Sequence, residues 1–158
     1  MEPEFRTLKE TKLIGMAMEM SLTNNRTGEL WKDFRGRDRE IQNRVSADFI
    51  SLQQYSPNYF QNIHPNNSFV KWACVAVSDF EFVPVGMRTL VLSSGQYAVF
   101  HYQGSSADSS IFQYIYGEWL PNSDYTLDDR PHFEVLGPDY KNNDPSSREE
   151  IWIPIQPK

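Results

Sequence analysis

Gly15-Met16-Ala17-Met18-Glu19 and, about 82 residues later, Tyr97-Ala98-Val99-Phe100-His101 are both alternating segments, and the patterns downstream of each succeed one another in the same order. Leu30-Trp31-Lys32-Asp33-Phe34 matches Phe112-Gln113-Tyr114-Ile115-Tyr116 at helical spacing, Ile50-Ser51-Leu52-Gln53 matches Phe133-Glu134-Val135-Leu136, and Lys71-Trp72-Ala73-Cys74-Val75 matches Ile151-Trp152-Ile153-Pro154-Ile155 after a small slip. Identity between the halves is negligible; the shared feature is the order of periods, two, then near four, then two twice. A spacing this long lies outside solenoid repeats. The pattern predicts an α+β fold of duplicated strand-helix-strand-strand units, about 5–78 and 87–156, within one domain spanning 1–158. Two half-domains enclose a seam, where a ligand is expected.

Composition narrows the function classes. A chain of 158 residues buries a core without staples, and its mean hydropathy of −0.58 is that of a globular protein. No apolar run approaches the ~20 residues of a membrane span. The acidic start, Met1-Glu2-Pro3-Glu4-Phe5, does not read as a secretory signal, so cytoplasm is the expected compartment. Cys74 is the sole cysteine, which excludes an intrachain disulfide and a thiolate metal cage; its apolar strand reads as core. A net charge of −6 opposes direct binding to nucleic acid, and Arg35, Arg37 and Arg39 are interleaved with Asp33, Asp38 and Glu40. The same balance attracts cations.

Along the chain, Met16, Met18, Met20 and Leu22 share one face of a strand. Thr23 to Gly28 carries turn and helix-start chemistry, and Leu30, Trp31, Phe34, Ile41 and Val45 continue a helical stripe that breaks near Gly36. Phe49–Tyr55 and Phe69–Val77 read as strands around a polar loop, 56–68. Asp79–Gly86 joins the halves without a flexible linker. Met87–Leu92 and Gln96–Tyr102 are strands, Phe112, Ile115, Tyr116 and Trp119 mark a helix stopped by Leu120-Pro121-Asn122-Ser123, and His132–Leu136 and Glu150–Ile155 complete the second unit.

Nucleophile-elbow, phosphate-loop, dinucleotide and zinc-helix motifs are absent, and His64, His101 and His132 lie in three separate elements, so neither a metal nor a cofactor is expected. One residue resists a bland account. Glu134 interrupts the apolar strand Phe133-Glu134-Val135-Leu136; alternation allows it to face solvent, or to face the seam, where an uncompensated charge is costly and a cationic ligand removes the cost. Trp72, Trp119, Trp152, Phe100, Tyr102 and Tyr116 can supply cation–π walls worth about 0.5–2 kcal/mol per face. Each also has a core reading: Phe112, Tyr116 and Trp119 as a buried helix stripe, Trp72 and Trp152 as matching anchors of the halves. Glu118, Glu149 and Glu150 read as surface charges, and Glu19 as ambiguous.

Val83-Pro84-Val85-Gly86-Met87, Gly95 through Gly104, Trp119-Leu120-Pro121-Asn122-Ser123, Pro131-His132-Phe133-Glu134 and Ile151 through Ile155 together resemble the GyrI-like effector-binding domain, also found at the C-terminus of AraC-type and MerR-type drug-sensing activators. The resemblance spans essentially the whole chain. It implies two repeats about a pseudo-twofold, a concave antiparallel sheet, and a groove between two helices that takes amphipathic, often cationic aromatic molecules. An acidic residue of that groove falls on Glu134, with the Trp119 motif nearby. No helix-turn-helix is found here, so a stand-alone binding protein is the expectation. The resemblance also leaves open hydrolysis of reactive small molecules by Glu134 and a tyrosine, Tyr97 or Tyr102, and interaction with a protein partner.

Overall fold

A computed structural model describes residues 1–158. Nine strands form one antiparallel system: β1 (Glu4–Leu8), β2 (Thr11–Ser21), β3 (Phe49–Gln54), β4 (Ser68–Val77), β5 (Arg88–Leu92), β6 (Gly95–Gln103), β7 (Tyr125–Leu127), β8 (His132–Leu136) and β9 (Arg148–Pro157). Their order is β1-β6-β9-β8-β3-β4-β2-β5, with β7 paired to β9. The succession β6-β9-β8 therefore meets β3-β4-β2 at the β8·β3 ladder, each half carrying its own helix. The ladders β1·β6 and β2·β5 share one register, from Leu8↔Gly95 to Thr11↔Leu92. Residues 4–15 thus run antiparallel to residues 88–99 across both ends of the order, and the sheet turns back on itself. Gly15 lies in this crossing between Cys74 and Arg88, where the backbone of β4 leaves no room for a Cβ.

The pleat sorts side chains into three apolar clusters. Inside the curled sheet, Leu13, Leu52, Trp72, Cys74, Leu92, Tyr97, Val99, Phe133 and Trp152 pack together. On the other face, Leu30 and Phe34 of α1 (Thr27–Arg35) cover Ile14, Ala73 and Val75. Ile111 of α2 (Ser110–Tyr114), with Ile115 and Trp119 of the π-turn (Ile115–Trp119) and the short α3 (Leu120–Asn122) behind it, covers Ala98, Phe100, Ile151, Ile153 and Ile155. The start of α1 is set by Asn25, whose Oδ1 accepts from the Thr27 N–H at 3.0 Å. Glu29 in its first turn and Lys32 and Arg35 in its last complement the helix dipole.

The helical stripe ends earlier than its spacing suggests. A 3-10 turn (Asp38–Glu40) follows Gly36, Ile41 is buried, and Val45 is 60% exposed. The strands β1 and β7 are too short and too mixed in pattern to announce themselves in the sequence. No helix is long and apolar enough to cross a membrane.

Candidate functional site: a cleft between the two helices

Over the β8·β3 ladder neither helix covers the sheet, and a cleft opens there with two connected chambers. The outer one, about 700 Å3, lies between Trp31 and Arg35 of α1 and the segments around Asp108 and Tyr140. The inner one, about 440 Å3, is walled by Tyr55, Tyr59, Phe60, Phe112, Tyr116 and His132. Lys71, Phe112 and Glu134 line both, so they mark the junction.

Strand parity decides what reaches this floor. In β8, Phe133 belongs to the cluster inside the sheet, so Glu134 turns to the helix face. Across the ladder it meets Ser51, and Gln53 Nε2 donates to its Oε2 at 3.3 Å. Lys71 of β4 shares the face and is only 8% exposed. Burial pulls its ammonium below the usual lysine range, against the opposing pull of Glu134 and Glu149. The Glu149 carboxyl is pushed up to about 7, first by burial and then by the charge of Glu134, with Lys71 partly offsetting. Glu149 is thus a cleft residue and not the surface charge its sequence neighbourhood suggests.

The inner chamber is built from rings. Phe60 stacks against Tyr116 at 5.3 Å and against His132 at 5.2 Å, while Tyr55 meets His132 edge-on at 5.0 Å and lies tilted against Tyr59 at 4.5 Å. Burial, with a contribution from Arg130, lowers His132 to about 3, so the imidazole is neutral near pH 7. Burial also holds Tyr116 well above the ordinary phenol range. The 2.8 Å contact between Tyr116 Oη and His132 Nδ1 is therefore a hydrogen bond between two neutral groups.

Of the residues singled out from the sequence, Glu134 and Tyr116 meet in the cleft. Phe100 is fully buried beneath the α2 side and packs edge-on against Trp119 at 5.2 Å, so both belong to the helix-sheet layer. Tyr102 lies beside that layer, its hydroxyl donating to the Ser105 carbonyl at 3.2 Å. Trp72 and Trp152 project to the opposite face, because odd and even positions of β4 and β9 face opposite ways and Lys71 and Ile151 take the helix face. The Trp72 indole donates to Gln54 Oε1 at 2.6 Å; Trp152 touches the floor of the inner chamber, but its indole stacks on Phe133 at 5.1 Å inside the sheet. Tyr97 is inside the sheet as well, donating to the Pro131 carbonyl at 2.9 Å, so neither tyrosine named for an acid role lines the two chambers. Met16, Met18 and Met20 pack in the α1 layer.

The residues the sequence left unflagged are Lys71, Tyr55, Tyr59, Phe60, His132 and Trp31. Lys71 had a signal of the same kind as Glu134, a charge within an apolar strand, Phe69-Val70-Lys71-Trp72-Ala73. Tyr59 and Phe60 sit in a segment rich in Asn, Pro and Ser and carry no period, so only the return of the loop to the sheet places them.

Comparison with known proteins agrees with this architecture. SAV2435, in a structure bound to tetraphenylphosphonium, superposes with a TM-score of 0.72 at 16% identity over 99% of this chain and 94% of that one. The C-terminal domain of EcmrR gives 0.73 at 16% identity, covering 99% of this chain and 98% of that domain. The integron cassette protein VCH_CASS2 from the mobile metagenome of Vibrio cholerae gives 0.68 at 16% identity, covering 98% and 96%. No curated protein matches in sequence. Residues 4–155 match the family model described as Cass2, integron-associated effector binding protein, and the chain belongs to that family.

Proposed function

We propose that this protein binds amphipathic aromatic molecules, cations foremost, in the cleft between α1 and α2, with Glu134 as the charge anchor and the rings of Tyr55, Phe60, Phe112 and Tyr116 as walls. The observation that carries the reading is the position of Glu134. It lies half-buried where two chambers meet, its only side-chain hydrogen bond being to a neutral amide, and aromatic faces surround the adjoining space. An acidic group so placed favours a ligand that brings a positive charge, and ring faces add cation–π attraction. The tetraphenylphosphonium complex of SAV2435, a protein of the same fold, supports the choice of ligand class. Trp119, Phe100 and Tyr102 act behind the wall, holding α2 and its loop in place.

The test is a titration followed by the fluorescence of the cleft residue Trp31, with tetraphenylphosphonium and the neutral triphenylphosphine oxide. Saturable binding of the cation, weakened at least about tenfold by Glu134→Gln (about 1.4 kcal/mol), is the expected result. Equal affinity for the neutral probe, or indifference to the substitution, removes Glu134 from the anchor role. Recovery of the ligand unchanged after prolonged incubation separates binding from turnover.

A further inference from the structure

A lysine is an odd occupant for a cleft that receives cations, and it lies on the floor at the junction of the two chambers. The Lys71 side chain forms no hydrogen bond or ion pair within the protein, and Phe69 and Ala73 on the same face supply the apolar contacts of β4 with the α1 layer. Burial is severe, with 8% of the residue exposed, and Glu134 and Glu149 stand near it without closing an ion pair. Burial drives the amine toward its neutral, nucleophilic form, against the pull of the two carboxyl groups. Glu149, on the outer side of the same junction, holds its proton to about pH 7.

We propose that Lys71 is a reactive amine that captures the carbonyl group of an aromatic aldehyde or ketone as a covalent imine at the junction of the chambers. The aromatic body enters among Phe60, Phe112 and Tyr116, which leaves the carbonyl carbon at the junction. The Nζ lone pair attacks that carbon, and the C=O π electrons move to oxygen. Proton transfer from nitrogen to oxygen gives the carbinolamine. The Glu149 carboxyl donates its proton to the hydroxyl, which leaves with the C–O bonding pair as water, and the nitrogen lone pair forms the C=N bond. The product is an iminium cation with two carboxyl groups beside it, Glu149 having become its counter-ion. The reaction is an addition with loss of water and needs no oxidant or reductant. Arg35 on α1, Asp108 and Tyr140 on the covering loops, Tyr55 and Tyr59 after β3, Tyr116 of the π-turn and His132 of β8 are the other ionisable groups around the junction. Neutral carbonyls need no anion at Glu134, so this activity shares the cavity of the cation reading without depending on it.

The experiment is reductive trapping: the full chain with 2-naphthaldehyde and sodium cyanoborohydride near pH 7, followed by intact mass and peptide mapping. A single adduct at Lys71, formed faster than at any of the other lysines, is expected, since a lowered lysine pKa leaves more free amine near pH 7. Adducts spread over Lys9, Lys12, Lys32, Lys141, Lys158 and the N-terminus, with Lys71 no faster than these, overturn the proposal. Lys71→Met should abolish the fast adduct. Glu149→Gln should slow it and remove the fall in rate above about pH 7 that loss of the acid produces. The wild-type map decides the matter even where a variant folds poorly. No cation is present, so its failure leaves the tetraphenylphosphonium titration standing, and the reverse.

Discussion

At the scale of single residues, three ionisable side chains share one face of the sheet in the cleft: Lys71, Glu134 and Glu149. Their effects on one another give pH dependence a sign. The Glu149 carboxyl is raised from 4.5 to about 7, mainly by burial. Stability from a group with a raised folded pKa is fully present below the unfolded value and is lost as pH rises through the folded one. At 1.36 kcal/mol per unit the loss is about 3 kcal/mol at most. Urea denaturation should therefore show Glu149→Gln stabilising the protein more near pH 8 than near pH 5; an effect equal at both would place Glu149 in open solvent. Affinity for tetraphenylphosphonium, whose charge is fixed, should rise over the same interval in the wild type and stay flat in the variant.

At the scale of elements, the loop between β3 and β4 and the segment α2 to α3 build the walls. Phe60 lies across the hydrogen-bonded pair Tyr116 and His132, so Phe60→Ala removes two ring stacks, each worth about 0.5–1.5 kcal/mol. The affinity of an aromatic ligand should fall about tenfold, readable by calorimetry, with a smaller loss in thermal midpoint because the loop lies at the surface. Unchanged affinity would show that the loop swings away when the cleft fills. The π-turn Ile115–Trp119 shifts the helix phase so that Tyr116 faces the inner chamber while Ile115 and Trp119 face the sheet. Gly117 sits in that turn, and a Cβ there would meet nothing. Gly117→Ala should stabilise the chain by about 0.4–1 kcal/mol through the unfolded state, with ligand affinity unaltered. A loss of stability would mean that the turn needs glycine's freedom.

At the scale of the whole molecule, the curled sheet separates stability from recognition. Its interior, with Trp72, Tyr97, Phe133 and Trp152, lies on one side of the strands, and the cleft lies on the other. Trp72→Phe removes a buried indole and the hydrogen bond to Gln54, and should cost about 1–3 kcal/mol in chemical denaturation while leaving affinity within about twofold. A larger change in affinity would show that the two faces are coupled through the strands. The closing ladder between residues 4–15 and 88–99 ties each half to the other, so the cleft has walls whose separation is set by one continuous sheet.

The sequence by itself determined the order of periods and hence the main elements: an alternating strand, a helix and two further strands, then the same order again, with Glu134 conspicuous as a charge among apolar neighbours. It determined the family as well, since the motifs of the second half are local. Tertiary structure alone decided which aromatics meet Glu134. Parity in β4 and β9 sends Trp72 and Trp152 to the opposite face, and a sequence read singly does not say which face of a strand looks at a ligand when both are apolar. Tyr55, Tyr59 and Phe60 converge on Tyr116 and His132 from an aperiodic loop, a contact that depends on chain return and not on spacing. Lys71 and Glu149 became partners of Glu134 for the same reason: proximity across strands far apart in sequence is created only when the sheet closes, and burial, which shifts their protons, comes with it.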